Sequence, residues 1–221
     1  MLLPFLIASC NSGEPTPVSQ NTSDKAPVPL ASQARQPDDR PIILAFGDSL
    51  TAGYGVAHGY GYPELLQNRL DDQGYHYRVV NAGISGETTS GGIGRLQAAL
   101  DLKPAVVILE LGGNDGLRGL PVDQTRANLD EMIGAFTGAG SQVILAGMTL
   151  PLNYGRDYVG SFEDVFKDLA KKHDLDFIPF FLDGVAGQPG LVQDGIHPNE
   201  KGYPIVTETV WKYLEPLLRK D

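Results

Sequence analysis

The sequence predicts an α/β fold: a three-layer α/β/α sandwich around a central, mostly parallel sheet of five strands. Short apolar runs rich in β-branched residues alternate with longer amphipathic stretches, which is the order expected for parallel strands joined by crossover helices. The chain has 221 residues, of which 42% are hydrophobic, enough for one sizeable core and too few for two full domains.

The predicted elements follow one another regularly along the chain. Apolar segments bounded by Gly or Asn are the predicted strands, at Ile42 to Phe46, Tyr77 to Val80, Val106 to Leu111, Val143 to Ala146 and Phe177 to Ile178. Segments with helical spacing separate and follow them, at Tyr62 to Asp72, Thr88 to Leu100, Val122 to Thr137, Phe162 to Lys172 and Glu200 to Leu218.

The amino-terminal part differs in composition from the rest. An apolar run ends in small residues before Cys10, and the segment Ile7 to Cys10 resembles a bacterial lipobox. That resemblance implies a secreted lipoprotein of the cell envelope, lipidated on Cys10 and tethered in the periplasm to the outer membrane. The alternative is an unstructured terminus with an incidental cysteine. We therefore divide the chain into a signal and lipobox segment (1–10), a flexible Pro- and Ser-rich tether (11–40) and a folded domain (41–221).

Charge and cysteine content exclude several functions. The net charge of -10 is spread without a basic block, so no nucleic-acid partner is predicted. With Cys10 as the single cysteine, no internal disulfide or cysteine-based zinc cluster is expected. The glycines complete no phosphate-binding motif and the other histidines have no regular partners, so we predict neither a cofactor nor a metal.

Small and polar clusters follow successive strands, and in a parallel sheet these clusters meet at one edge. Ser49 lies in a Gly-rich turn after the first strand, and Asp194 and His197 precede the last helix. A hydroxyl nucleophile needs a base and a carboxylate that orients the base, so these three residues are the candidate catalytic triad. Taken alone, each cluster is also compatible with a helix cap or a tight turn.

An acyl-transfer site also needs donors for the oxyanion. The side-chain amide of Asn114 and the backbone N–H groups of Ser49 and Gly83 are the candidates. Apolar residues in the neighbouring loops are candidates for an acyl-binding groove, with loop packing as the alternative: Leu117, Leu120, Pro121, Leu150, Leu152 and Tyr154.

Four sequence blocks together resemble the signature blocks of GDSL/SGNH hydrolases, in the family order. The blocks are Phe46 to Thr51, Asn81 to Thr89, Gly112 to Asp115 and Asp194 to Pro198. Segments around Tyr54, Arg118 and Tyr154 resemble the bacterial thioesterase I/protease I/lysophospholipase L1 (arylesterase) branch. The resemblance implies a flavodoxin-like fold, a Ser49 nucleophile with Asp194 and His197, and oxyanion donors at Ser49, Gly83 and Asn114. The Gly-x-Ser-x-Gly elbow of ordinary α/β-hydrolases is absent, because Thr51 occupies the last glycine's place.

Three functions follow from these residues. We favour a serine esterase that hydrolyses short- to medium-chain (thio)esters, such as aryl esters, acyl thioesters or lysophospholipids, through a Ser49 acyl-enzyme. The same triad is compatible with a carbohydrate or cell-wall deacetylase, and a tethered, non-catalytic binding module is the alternative from another class. The preferred acyl length, the leaving group and the oligomeric state stay open.

Overall fold

A computed structural model describes residues 38–220, which contain one parallel sheet. Its strands lie side by side in the order β2-β1-β3-β4-β5. Their bounds are β1 Ile42–Gly47, β2 Arg78–Gly83, β3 Val106–Glu110, β4 Gln142–Ala146 and β5 Asp176–Ile178. The predicted α/β fold with a five-stranded parallel sheet is confirmed.

The helices form two packed groups, as expected when crossovers cover both faces of a sheet. The helices α2 and α8 pack against each other, whereas α6 packs against both α3 and α7. The bounds are α1 Ser49–Ala52, α2 Tyr62–Asp72, α3 Thr89–Gly94, α4 Leu96–Asp101, α5 Gly113–Leu117, α6 Val122–Gly138, α7 Arg156–His173 and α8 Tyr203–Leu214, with 3-10 turns at Leu152–Tyr154 and Glu215–Leu217.

The central strands are buried and in register. Every residue of β1 and β3 is buried, which explains their continuous apolar runs. Gly47 at the end of β1 pairs with Gly83 of β2 and with Glu110 of β3. The chain order reverses between β1 and β3, and ligands of open α/β sheets bind beyond the strand ends at such a point. The register therefore brings the loops after β1, β2 and β3 together there.

Several predicted bounds were wrong, for local reasons. The segment from Thr88 to Leu100 is two helices, because Arg95 between them leaves the helical conformation, with φ -119° and ψ 8°, and bonds to Glu87 and to the carbonyl of Gly47. The second strand extends through Gly83, so Asn81 to Gly83 belong to the strand and not to a following loop.

Other helix ends also differ from the prediction. The last helix begins at Tyr203 and not at Glu200, because the Asn199 side chain accepts the N–H groups of Lys201 and Gly202 in a turn before it. It ends at Leu214, followed by a 3-10 turn that contains Pro216. The helix predicted from Phe162 begins earlier, at Arg156.

The predicted signal and lipobox segment, and the predicted tether up to residue 37, lie outside the described residues. Within residues 38–220, no helix is long and apolar enough to cross a bilayer.

Candidate active site

Ser49 is the first residue of α1, directly after the turn that leaves β1. Asp48 caps this helix, because its Oδ1 accepts the N–H of Leu50 at 3.0 Å. Gly47 has no side chain for a steric reason: a Cβ there would lie 2.6 Å from the carbonyl oxygen of Glu110 and would overlap the Thr51 hydroxyl. The sharp turn presents Ser49 at the strand end with 9% of its surface exposed.

The loop before α8 places Asp194 against His197. Asp194 Oδ1 accepts the backbone N–H groups of Ile196 and His197 at 3.1 and 2.8 Å, and Oδ2 lies 2.6 Å from His197 Nδ1. Gly195 has φ +89°, a left-handed conformation that lets the loop close within three residues. An antiparallel bridge between Val192 and Pro198 closes the base of the loop.

The structure brings Ser49, Asp194 and His197 together although Ser49 and His197 are 148 positions apart in the chain. His197 Nε2 lies 2.9 Å from Ser49 Oγ, within hydrogen-bond reach. Since Nδ1 donates to Asp194, Nε2 of a neutral imidazole is the acceptor that faces the hydroxyl. This geometry suits removal of the Ser49 proton by His197.

Asp194 stays ionised over a wide pH range. Burial by itself raises the pKa of its carboxyl, but the backbone N–H and imidazole of His197 and the N–H of Ile196 outweigh burial and lower the pKa to about 2. An ionised Asp194 stabilises the imidazolium form of His197 during a reaction.

Asn114, in α5 after β3, points its side-chain amide at Asp48, in the turn that precedes Ser49. Its Nδ2 donates to Asp48 Oδ2 at 2.8 Å and to the carbonyl oxygen of Glu87 at 3.0 Å. Both amide hydrogens are therefore engaged, and a substrate oxyanion has to replace one of these acceptors. The longer bond, to the neutral Glu87 carbonyl, is the one we expect to yield.

The structure does not leave the Gly83 amide free. Gly83 ends β2, and its N–H donates to Asn81 Oδ1 at 3.0 Å. A Cβ at Gly83 would overlap the backbone of Ala52, so the glycine is explained by the close approach of α1 to β2.

Gly86 is an oxyanion-donor candidate that sequence reasoning missed. It is exposed, has φ +79°, and its N–H has no hydrogen-bond partner among residues 38–220. Arg118 fixes the peptide by donating to the Gly86 carbonyl at 2.7 Å, and the next residue, Glu87, accepts a bond from Asn114. The sequence did contain a signal for this residue, since Gly86 stands between the polar Ser85 and Glu87 in the second family block.

The predicted groove residues fall into different environments. Leu152 is 74% exposed and Tyr154 37% exposed, and the Tyr154 hydroxyl donates to the carbonyl of Leu117 at 2.9 Å. Leu150 is instead 4% exposed and packs on Gly116. The loops after β3 and β4 thus meet through Leu117 and Tyr154. The remaining two lie at the start of α6, where the Leu120 carbonyl accepts the Tyr158 hydroxyl and Pro121 lines a separate surface cavity.

Tyr54 is another residue that the sequence analysis did not assign to the site. Its ring packs on the His197 imidazole, with centroids 4.7 Å apart, while 52% of its surface stays exposed. The Gln193 side chain donates to the Tyr54 carbonyl at 2.8 Å, which ties the loop of His197 to the segment after α1. These contacts hold the imidazole over Ser49.

The site contains a hydroxyl, an imidazole and a carboxylate that are hydrogen-bonded in series, beyond the strand ends of a parallel α/β/α sheet. This arrangement defines the class of serine hydrolases. The chain belongs to the GDSL-like lipase/acylhydrolase family, whose match covers residues 45–205. The predicted family is thereby confirmed.

Known relatives agree with this assignment. The chain is 47% identical to "Esterase TesA" of Pseudomonas aeruginosa over 178 residues, covering 80% of this chain and 89% of the relative. It is 39% identical to "Thioesterase 1/protease 1/lysophospholipase L1" of Escherichia coli, covering 81% and 86%. The crystal structure of the psychrotrophic esterase EstA from Pseudoalteromonas sp., inhibited by monoethylphosphonate, matches with a TM-score of 0.76 and 34% identity, covering 79% and 97%.

Proposed function

We propose that this protein is a serine esterase that hydrolyses carboxylic esters and thioesters of short- to medium-chain acyl groups through an acyl-enzyme on Ser49. The observation that carries the proposal is the continuous path of bonds from Ser49 Oγ to His197 Nε2 and from His197 Nδ1 to Asp194. The names of the relatives, esterase and thioesterase/lysophospholipase, support this substrate class over sugar deacetylation. A non-catalytic binding module would not need three such groups in bonding sequence.

The reaction proceeds in two halves. His197 Nε2 takes the Ser49 proton while Oγ attacks the substrate carbonyl carbon, and the carbonyl π electrons move onto oxygen. As the tetrahedral species collapses, the protonated imidazole gives its proton to the leaving alcohol or thiol. Water then adds to the acyl-enzyme with His197 again as base, and the acid leaves as Ser49 recovers its proton.

The oxyanion is stabilised in this proposal by Asn114 and by backbone N–H groups of Ser49 and Gly86. Gly86 replaces the predicted Gly83, because the Gly83 N–H is already bonded to Asn81. A structure of the phosphonate adduct tests the choice: the phosphoryl oxygen should accept the Gly86 N–H. A bond to the Gly83 N–H, with Asn81 turned away, would restore the earlier assignment.

The esterase proposal is tested by hydrolysis of p-nitrophenyl esters of increasing acyl length. We expect turnover of short and medium chains that falls by a factor of at least ~10³ in Ser49→Ala and in His197→Ala. The exposed Ser161 and His58 supply the controls Ser161→Ala and His58→Ala, which should keep native rates. Undiminished turnover by Ser49→Ala would rule out the acyl-enzyme. Turnover confined to acetylated sugars would favour the deacetylase.

We also propose that the catalytic domain is tethered in the cell envelope through a lipidated Cys10. The support is the lipobox-like segment and the Pro- and Ser-rich composition from residue 11 to residue 40. Metabolic labelling with palmitate should mark the full chain and not the Cys10→Ala variant. An unlabelled full chain would contradict the anchor and leave the esterase proposal untouched.

A further inference from the structure

Two acidic side chains lie buried beneath the turn from Gly47 to Ser49, and the catalytic steps above use neither directly. Glu110, the last residue of β3, has no exposed surface, and Asp48 is 3% exposed. Neither carboxyl forms an ion pair with a cationic side chain anywhere in residues 38–220. Two uncompensated charges at this depth would cost several kcal/mol.

The hydrogen bonds distinguish the two acids. Asp48 is supplied with donors, since its Oδ1 accepts Leu50 N–H at 3.0 Å and its Oδ2 accepts Asn114 Nδ2 at 2.8 Å. In Glu110 only one oxygen is bonded: Oε2 accepts the Thr51 hydroxyl at 2.8 Å and the Asp48 N–H at 3.3 Å, whereas Oε1 has no partner among residues 38–220. The arrangement stabilises a charge on Asp48 and a proton on Glu110.

The directions of the pKa shifts of the two acids agree with this division. Burial, reinforced by the charge of Asp48, raises the pKa of Glu110 well above its usual range. Burial also raises the pKa of Asp48, but the Leu50 N–H and its other partners limit the rise to about 6. Both shifts therefore point the same way as the hydrogen bonds: ionisation is disfavoured on Glu110 and is better supported on Asp48.

Both acids connect the sheet to the oxyanion site. Glu110 bonds the backbone of Asp48, and the Asp48 carboxylate bonds the amide that faces the substrate. Around them, the Tyr62 hydroxyl lies 3.2 Å from Thr51 Oγ1, and the Tyr203 hydroxyl donates to the Leu50 carbonyl at 3.1 Å. The electrostatic interaction with His197, on the loop opposite, favours the charge on Asp48.

We propose that Glu110 is a neutral positioning residue of the reaction: as a protonated acid it anchors the Thr51 hydroxyl and the Asp48 amide, so that Asp48 keeps the single buried charge and orients Asn114 toward the oxyanion. The inference rests on the proposed esterase function and deepens it. Gly47 is part of the same device, because a Cβ there would lie 2.6 Å from Glu110 Oε2.

Two substitutions test whether position 110 requires a neutral hydrogen-bond acceptor, a carboxylate, or only a side chain of similar volume. Glu110→Gln keeps the shape and a carbonyl acceptor but never ionises, whereas Glu110→Met has similar volume and no comparable acceptor. Esterase kcat and KM are measured at pH 8, normalised to nucleophiles titrated with a phosphonate, beside thermal unfolding. The control is Glu131→Gln, at an exposed glutamate of α6.

For Glu110→Gln we expect kcat within about threefold of native, because the neutral group is conserved. For Glu110→Met we expect kcat to fall by about 10-fold or more with KM within about twofold, because Asn114 loses its orientation in the transition state. A folded Glu110→Gln protein that loses as much as Glu110→Met would overturn the inference, as would native kcat in Glu110→Met.

Should Glu110→Met fail to fold, the Gln variant still decides. Infrared spectra at pH 8 compare this variant with the native protein. The variant should lose the carbonyl band of one protonated acid and should keep every carboxylate band. Loss of a carboxylate band would contradict the inference. Failure of the esterase proposal itself has another signature, namely turnover that survives Ser49→Ala whatever Glu110 variants do.

Discussion

At the scale of single residues, Asp48 links the chemistry to the fold. It caps α1, which carries Ser49, and it also bonds Asn114 across the gap between β1 and β3. An asparagine there would have one carbonyl oxygen for two acceptor positions, so it could satisfy only one of these donors. In the proposed mechanism, the Asp48 carboxylate therefore couples the position of the Ser49 nucleophile to that of the Asn114 oxyanion donor.

Removing the Asn114 amide should slow turnover without weakening substrate binding. We expect Asn114→Ala to lower kcat by ~10² to 10³ and to leave KM within about twofold, because the amide bonds the oxyanion and only weakly the ground-state carbonyl. Steady-state kinetics on a p-nitrophenyl ester measures this.

The matched control is Asn199→Ala, which removes an amide outside the site that bonds the Gly190 carbonyl. It should leave kcat per folded molecule near the native value. A large rise in KM for Asn114→Ala at native kcat would show that Asn114 binds substrate uniformly and does not act on the oxyanion.

The sequence was informative about residues whose chemistry is local. Asp194 and His197 are three residues apart, so their pairing is available from spacing, and Ser49 stands in a turn whose composition is distinctive. Glu110 could not be assigned in the same way, because its role depends on register: it pairs with Gly47 across the sheet and meets Thr51 only in the folded chain. The choice between Gly83 and Gly86 depends on which amide Asn81 occupies.

At the scale of elements, side-chain contacts set the helix ends where periodicity could not. Arg95 interrupts the predicted helix between α3 and α4 because its guanidinium pairs with Glu87 and packs over the Phe46 ring at 3.7 Å. Both contacts connect α3 to the end of β1 and to the loop that carries Gly86. Intrinsic propensity contains no information about such partners. The sequence therefore predicted a helix in this segment but not its interruption at Arg95.

The helices also contain a site where the sequence is not optimal for stability. Gly134 lies on the exposed side of α6, and a Cβ there would have nothing within 4 Å. We expect Gly134→Ala to raise the free energy of unfolding by ~0.5 to 1 kcal/mol, because alanine loses less backbone entropy on folding. Urea unfolding monitored by circular dichroism measures the change.

A second helical glycine supplies the contrast. At Gly92 in α3, a Cβ would lie 2.6 Å from Leu111 Cδ1 and 3.0 Å from the Met132 sulfur. Gly92→Ala should therefore destabilise the protein by ~1 to 3 kcal/mol through overpacking. Equal effects of the two substitutions would mean that packing between α3 and α6 does not determine the requirement for glycine.

At the scale of the whole molecule, the site lies where the order of strands reverses, and this was predictable. Alternating apolar and amphipathic segments gave a parallel sheet, and a parallel sheet implies a common edge for Ser49, Asn114 and His197. The pattern could not predict which side chains are buried beneath that edge. Two acids, Asp48 and Glu110, are buried in the core directly behind Ser49, although burial of acids normally weakens a fold.

This burial predicts an unusual dependence of stability on pH. The folded pKa of Asp48, about 6, exceeds its ordinary value of 3.8, so the native state retains a proton that the unfolded chain has already lost between about pH 4 and 6. Stability from this group is therefore present at low pH and is lost as the pH rises through that window, by about 3 kcal/mol in total. Glu110, whose pKa is also raised, adds to the loss.

Replacing both acids by Asp48→Asn and Glu110→Gln removes this pH-dependent cost while keeping side-chain volume. Urea titration measures the difference in unfolding free energy between the double variant and the native protein. We expect this difference to shift in favour of the variant by at least about 3 kcal/mol from pH 4 to pH 8. Asp194 contributes in the opposite direction only below its ordinary value of 3.8, outside this window, since its pKa is lowered.

The exposed acids Asp183 and Glu131 provide a matched double variant, Asp183→Asn with Glu131→Gln, whose difference from native should stay nearly constant with pH. A flat difference for the buried pair as well would show that these acids ionise in the fold as they do in water, and the neutral state of Glu110 would then be untenable.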